Sequence, residues 1–177
     1  ISLPVLARVA DQSLRSRRFT CGHRLTPVPV DMRLAGAYDY LMADMLKIGI
    51  LKEVKNLWEK RAPLTPDDVK WLVDRGVGVE VESSRLRVFS DEEYRQAGAS
   101  IVDRPPSASV LVGIKEPPIE SLLEGRTYML FSHTVKGQAH NMPLLREFLK
   151  RKDTLIDYEK ITDESGRRLV FFGRFAG

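Results

Sequence analysis

At 177 residues the chain is long enough for one domain with a substantial core and short for two. Its 43% apolar and 29% charged content is that of a globular protein, no apolar run approaches the ~20 residues that cross a bilayer, and a single cysteine, Cys21, leaves no internal disulfide and no cysteine-based metal site. The net charge of +4 is spread evenly: residues 1–45 hold six Arg against four Asp, and residues 46–177 hold 22 basic against 20 acidic side chains. With no basic stripe interleaved with aromatics, neither nucleic acid nor membrane is an expected partner.

Residues 1–33 differ in composition from the rest. Arg8, Arg15, Arg17, Arg18, Arg24 and Arg33 occur with Ser2, Ser13 and Ser16, no Lys, and only Asp11 and Asp31 as acids. Such a pattern suggests an organelle transit peptide; a disordered leader is the alternative. Leu34, Tyr38, Leu41, Met42 and Met45 are spaced for a helix over 34–47. The domain boundary is expected near Leu46, with a leader over 1–45 and a folded unit over 46–177.

Regular alternation begins at Leu46. Residues 46–51 predict a first strand. Thr65-Pro66-Asp67-Asp68 predicts a helix start, because Thr65 can cap, Pro66 suits the first turn, and the acids complement the positive end of the dipole. Val69, Leu72 and Val73 give that helix an apolar face, and Gly76 ends it. Val77, Val79 and Val81 alternate as a strand. Ser90-Asp91-Glu92-Glu93 is a capping box opening a short helix, and residues 99–102 predict a brief strand. After Pro105-Pro106, residues 110–114 predict a strand, and Thr127 to Phe131 another. Residues 138–150 read as a helix with Pro143 in its first turn. Thr154 to Tyr158 is the next strand, and residues 168–172 are expected to pair back as a hairpin across an Asp163-Glu164-Ser165-Gly166 turn. Strands separated by helical patterns give a Rossmann-like α/β fold with a parallel sheet.

The strands end abruptly in ionisable residues. The first releases Lys52, Glu53, Lys55 and then Arg61; the second group is Lys115 and Glu116; the third His133 and Lys136; the last Asp157 and Glu159. In open α/β sheets ligands collect beyond the carboxyl ends of the strands, so parallel neighbours would put these groups on one rim. Cations there suit substrate carboxylates, and crowded cations also lower a lysine's pKa toward proton transfer. Each residue has a plainer alternative. Lys115 can be a solvated strand-end lysine, His133 can cap the next helix, Arg61 can pair with an acid, and Glu159 can lie in an exposed hairpin. His140 reads as a helix-face residue. Arg85-Leu86-Arg87 is either a phosphate contact or a solvated loop. No Gly-x-Gly-x-x-Gly follows a strand, no phosphate-binding loop occurs, and His133 and His140 lack the spacing of a metal site.

Several segments in order resemble a known family. These are residues 52–66 (KEVKNLWEKRAPLTP), 89–94 (FSDEEY), 113–118 (GIKEPP), 131–138 (FSHTVKGQ), 141–145 (NMPLL), 155–160 (LIDYEK) and 172–177 (FGRFAG). Across residues 47–177 they resemble the alanine dehydrogenase/transhydrogenase N-terminal domain. The nearer likeness is to its lysine-ketoglutarate reductase branch, found in the α-aminoadipic semialdehyde synthases. That resemblance implies a reductive condensation of L-lysine with 2-oxoglutarate by NADPH to give saccharopine. By the same resemblance Lys115 and His133 are the acid–base pair, and Arg61, Lys55 and Lys136 bind substrate or shape the rim. Glu116 and Glu159 tune the pair. It implies NADP(H) on a following Rossmann domain rather than on this chain, no metal, and a homo-oligomeric full-length form. With the leader it implies a mitochondrial location, the cytoplasm being the alternative. The chain is accordingly expected to be the substrate-side half, inactive alone. Two other readings stay open: a stand-alone binding or regulatory module, and part of a fungal-type NAD saccharopine dehydrogenase.

Overall fold

The computed structural model describes residues 47–105 and 107–171. The leader over 1–45, the segment 172–177 and, apart from Lys47, the helix expected over 34–47 lie outside the described residues; Lys47 itself opens the first strand.

Six parallel strands form one sheet: β1 (Lys47–Ile50), β2 (Gly78–Glu82), β3 (Ser100–Val102), β4 (Val110–Val112), β5 (Thr127–Leu130) and β6 (Thr154–Asp157). Their order is β3-β2-β1-β4-β5-β6, so the sequence reverses direction between β1 and β4. That reversal is the switch point at which α/β sheets open a crevice. Ile48 pairs with Val79 and Val110, and Val112 pairs with Met129.

Register fixes the two faces. Ile48, Ile50, Val79, Val81, Val112 and Met129 share one of them, and Gly49, Leu111 and Tyr128 share the other. Helices α1 (Pro66–Val73) and α2 (Asp91–Gln96) cover the first face over β1 and β2, through Val69, Leu72 and Tyr94. Helix α3 (Met142–Arg151) covers the second face, with Leu144 and Phe148 packing on Leu111, Tyr128 and Leu130. Over β4 and β5 the first face is covered by chain after β6: Tyr158, Ile161 and Val170 lie on Val112, Met129 and Phe131.

The local signals act as their chemistry predicts. Thr65 and Asp68 close a reciprocal capping box on α1, and Ser90 and Glu93 do so on α2. Pro143 lies in the first turn of α3, where its missing N–H has no intrahelical partner. Arg87 is neither a phosphate contact nor solvated. It is 4% exposed at its side chain, pairs with Asp91 and donates to the carbonyls of Glu82 and Phe89.

The expected hairpin is reduced to a single antiparallel bridge, Thr162 with Arg168. The Asp163 carboxylate accepts from the N–H groups of Ser165 (3.0 Å) and Arg167 (2.9 Å), and backbone bonds from the Asp163 N–H to the Arg167 carbonyl (2.9 Å) and from the Gly166 N–H to the Asp163 carbonyl (3.0 Å) close the same turn. Upstream, the chain leaves β6 into a 3-10 turn at Tyr158–Lys160, so the pairing of residues 168–169 is confined to residues 161–162, with the Leu169 N–H on the Ile161 carbonyl (2.9 Å).

Candidate functional site

Three residues stand at equivalent places, each three positions beyond a neighbouring strand: Glu53 after β1, Lys115 after β4 and His133 after β5. The ladder continues past the strand ends, with the Gly113 N–H on the Met129 carbonyl (3.0 Å) and the Phe131 N–H on the Ile114 carbonyl (3.1 Å). The rim is therefore held by the same hydrogen bonds as the sheet.

His133 lies close to Glu116: Nδ1 is 3.2 Å from Oε2. The other Glu116 oxygen is bonded to the Lys55 ammonium. Burial alone would raise the Glu116 carboxyl, but the Lys55 ammonium, its own backbone N–H and the imidazole hold it below the usual carboxylate range. An ionised Glu116 accepts from Nδ1–H, which leaves Nε2 of a neutral His133 with the lone pair of a general base. Lys115 adjoins Glu116 in the chain, and its charge acts on the Glu59 carboxylate.

The backbone of His133 is in the left-handed region, at φ 53. Few non-glycine residues adopt it, and the surroundings hold it there. The Asn141 amide donates to the His133 carbonyl at 2.9 Å. On either side, the Ser132 and Thr134 hydroxyls are 2.7 Å apart, and Ser132 Oγ is bonded to the buried Asp157.

Glu53 is 9% exposed and accepts two adjacent backbone N–H groups, Ile114 at 2.6 Å on Oε1 and Lys115 at 3.0 Å on Oε2. Burial pushes its carboxyl up to about 7 despite those bonds and the Arg61 charge, with nearby Glu59 adding to the rise. Arg61 is gripped by Glu59: Nε is 2.7 Å from Oε1, and a second bond joins the guanidinium to Oε2. That bond lowers the Glu59 carboxyl and raises the guanidinium.

Of the residues expected on the rim, Lys55, Glu116 and His133 come together, with Lys115 alongside. Arg61 is at the rim but engages an acid, as its plainer alternative held. Lys136 is exposed in the turn after β5. Glu159 is not joined to His133; its carboxylate faces Arg168 at 3.6 Å and its N–H donates to Asp157. From the sequence Glu53 was placed on the rim without a role, and Glu59 and Asn141 were not singled out. For Glu53 a signal existed, since it sits at the same offset from its strand as Lys115 and His133. For Glu59 and Asn141 no sequence pattern marks the role.

A groove of about 410 Å³ opens beside the row, lined by Val54, Lys55, Glu116, Ile119, Asn141 and Leu144 among others. An open depression of about 500 Å³ adjoins Arg61, bounded by Trp58, Glu59 and Val88. Among the described residues no group of three or more His, Cys, Asp or Glu is placed to hold a metal ion, and no helix is long and apolar enough to cross a membrane. The β1–α1 connection, residues 51–65, contains no glycine and presents the carboxylates of Glu53 and Glu59. A pyrophosphate needs close-approaching N–H donors, so these residues do not fit a dinucleotide.

The family model for the N-terminal domain of alanine dehydrogenase/PNT matches residues 49–177. The mitochondrial α-aminoadipic semialdehyde synthase of Rattus norvegicus is 42% identical over 130 residues, which cover 73% of this chain and 14% of that protein. The saccharopine dehydrogenase (NAD(+), L-lysine-forming) of Yarrowia lipolytica is 36% identical over 141 residues, 77% of this chain and 38% of the dehydrogenase. The chain thus spans well under half the length of either relative. Among solved structures, an L-alanine dehydrogenase superposes with a TM-score of 0.58 at 26% identity, over 68% of this chain and 34% of that one.

Proposed function

The chain belongs to the alanine dehydrogenase/PNT N-terminal-domain family, and on that premise we propose that its rim is the substrate-binding and acid–base half of a lysine-ketoglutarate reductase. The reaction joins L-lysine and 2-oxoglutarate into saccharopine with NADPH. The domain is the unit over residues 46–177. The single observation that carries this reading is Glu116 bonded to both Lys55 and His133, with Lys115 next to it, at the carboxyl ends of adjacent parallel strands.

The chemistry asks for two proton handlers and a hold on carboxylates. The ε-amine of lysine must lose a proton before it attacks the ketone carbon of 2-oxoglutarate. The resulting carbinolamine must then gain a proton on its oxygen to expel water and leave an imine. Nε2 of His133 is suited to accept the first proton, and the Lys115 ammonium to supply the second. Glu116 keeps the imidazole in one tautomer and one orientation. Arg61, Lys55 and Lys136 provide cations for substrate carboxylates. The guanidinium is already aligned by Glu59, so a substrate carboxylate meets a fixed fork rather than a free side chain. Glu159 acts through its backbone N–H, which bonds Asp157, the residue that fixes Ser132 beside His133. Reduction of the imine requires the nicotinamide, which these residues do not hold, and NADP(H) is assigned to chain outside this rim.

The test is NADPH oxidation with L-lysine and 2-oxoglutarate in a protein that joins this domain to a nicotinamide-binding domain. Lys115→Met and His133→Gln are each expected to lower kcat by roughly 100-fold or more. Full activity in both variants removes them from the chemistry. Saccharopine binding without turnover in the longer protein would instead favour a binding module. The Yarrowia lipolytica relative supports a second reading with the same residues, an NAD-dependent dehydrogenase working towards lysine. Comparison of NADP with NAD separates the two. The rat relative, named mitochondrial, supports a mitochondrial location.

A further inference from the structure

We propose that Glu53 is the positioning residue of the rim: ionised, it clamps the two successive N–H groups that hold the Lys115 segment in place, and protonated it releases them. This rests on the reading of Lys115 as a proton handler, and it adds a residue to which that reading gives no task.

The geometry is specific. Residues 113–116 leave β4 with no helix to order them; the sheet's ladder reaches them through the Gly113 N–H and the Ile114 carbonyl, and the N–H groups of Ile114 and Lys115 are left to a side chain. Glu53 reaches across from β1 and takes the N–H of Ile114 on one oxygen and the N–H of Lys115 on the other. Two parallel bonds to adjacent donors fix both the height and the tilt of that segment, and through it the points from which the Lys115 and Glu116 side chains start. Gly113 sits against the same carboxylate; a Cβ there would stand 3.6 Å from Glu53 Oε1. A carboxylic acid keeps one acceptor oxygen and turns the other into a donor, so a neutral Glu53 cannot accept both N–H groups through paired carboxylate oxygens.

The groups around Glu53 are arranged to make that change accessible. From its own β1–α1 connection it faces the Glu59 carboxylate and the Arg61 guanidinium, which act in opposite directions. From the turn after β6 it is coupled to Tyr158, whose ring is fully buried and whose hydroxyl has no hydrogen-bond partner. From the end of β4 come the N–H donors of Ile114 and Lys115. Burial opposes the charge that the clamp requires, and the carboxyl is poised at about 7. The orphaned Tyr158 oxygen leaves a buried polar group in that neighbourhood able to accept a proton-sharing bond. A buried polar atom without a partner calls for such a role.

The clamp is testable in this chain without reference to turnover. In ¹H–¹⁵N spectra of the 177-residue protein between pH 5.5 and 8.5, the amide protons of Ile114 and Lys115 are expected to move downfield together as pH rises. Their common midpoint should lie near 7 and match that of the Glu53 side-chain carboxyl carbon. Glu53→Gln should abolish the amide movement. Amides that do not titrate, or that titrate unchanged in Glu53→Gln, overturn the proposal; the carboxyl signal decides it in the unsubstituted protein if the variant does not fold. In the protein joined to a nicotinamide-binding domain, Glu53→Gln should lower kcat about tenfold or more with KM for lysine little changed, and remove an acid limb near pH 7 from the rate profile. Glu53→Asp, which keeps the charge, should retain that limb. A variant that only melts earlier with an unchanged pH profile also overturns it. Absence of any turnover in the unsubstituted longer protein defeats the reductase reading and leaves the spectral result to judge the clamp.

Discussion

His133 and Glu53 are both held against a local preference, and each makes a measurable demand on its surroundings. A non-glycine residue at φ 53 carries roughly 1–3 kcal/mol of backbone strain, and Asn141 offsets part of it through the His133 carbonyl. Asn141 is 6% exposed, so Asn141→Ala leaves that buried carbonyl without its donor. The expected cost is about 1–3 kcal/mol, seen as a melting temperature lower by several degrees in circular dichroism. No change would mean the left-handed turn is set by the Ser132, Thr134 and Asp157 bonds alone. For Glu53 the dependence on pH has a definite sign. Its folded carboxyl is raised from 4.5 to about 7, mainly by burial. Between those values the folded state keeps a proton that the unfolded state has lost. The stability contributed by neutral Glu53 is present below pH 4.5 and lost as pH rises to 7, by on the order of 3 kcal/mol. Urea unfolding at pH 5 and pH 8 should show that loss in the parent protein and not in Glu53→Gln, and equal differences in the two would place the titration elsewhere.

At the level of elements, the central strand is the one with least room. Gly49 faces the side on which β4 packs closest: a Cβ there would stand 2.7 Å from Leu111 Cδ2, 2.8 Å from Pro105 Cβ and 2.9 Å from Ala108 Cβ. Two of those neighbours are the first side-chain atoms of their residues and cannot swing away. Gly49→Ala is therefore expected to destabilise by about 1–3 kcal/mol through overpacking, measured as a lower urea midpoint with an unchanged slope. A neutral outcome would show that β1 and the 105–108 loop can part. The same strand shows what was legible beforehand. Buried parallel strands read as apolar runs, so β1, β4 and β5 announced themselves, and Thr65 and Ser90 marked the helix starts because caps are local chemistry. The rim's cations and His133 were legible for the same reason, since an ionisable residue ends each run. The rest depended on partners distant in sequence. Glu53 looked like one charge among Lys52, Glu53 and Lys55, and its depth is fixed by Ile114 and Lys115, 61 and 62 residues away. The grip of Glu59 on Arg61 competed with an equally plain solvated pair. The hairpin stays short because the chain after β6 winds into a 3-10 turn before it reaches Ile161 and Thr162, the residues with which Leu169 and Arg168 pair.

The whole molecule is a parallel sheet covered unequally, and that inequality explains why residues 158–170 matter to a site they do not enter. On one face α3 covers β4 and β5 with Leu144 and Phe148. On the other, no helix among the described residues crosses those strands; Tyr158, Ile161 and Val170 do the covering, and Phe131 meets Tyr158 edge-on with ring centroids 5.0 Å apart. Parallel sheets need both faces dry. The same Phe131 leads directly into Ser132 and His133, so solvent reaching Met129 and Phe131 would loosen the base of the row that carries His133. Val170 is 7% exposed, and burying a valine contributes about 1.5–3 kcal/mol. The Arg168–Glu159 pair beside it is half-exposed and contributes little. A chain ending at residue 161 should therefore unfold at a clearly lower urea concentration and bind a hydrophobic dye at pH 7. In its spectra the Ser132 and Thr134 amides should broaden while those of β1 and β2 keep their positions. Unaltered unfolding and sharp Ser132 and Thr134 signals would show that Tyr158 alone seals that face, and that the path from the apolar covering to His133 runs only through the bond between Ser132 and Asp157.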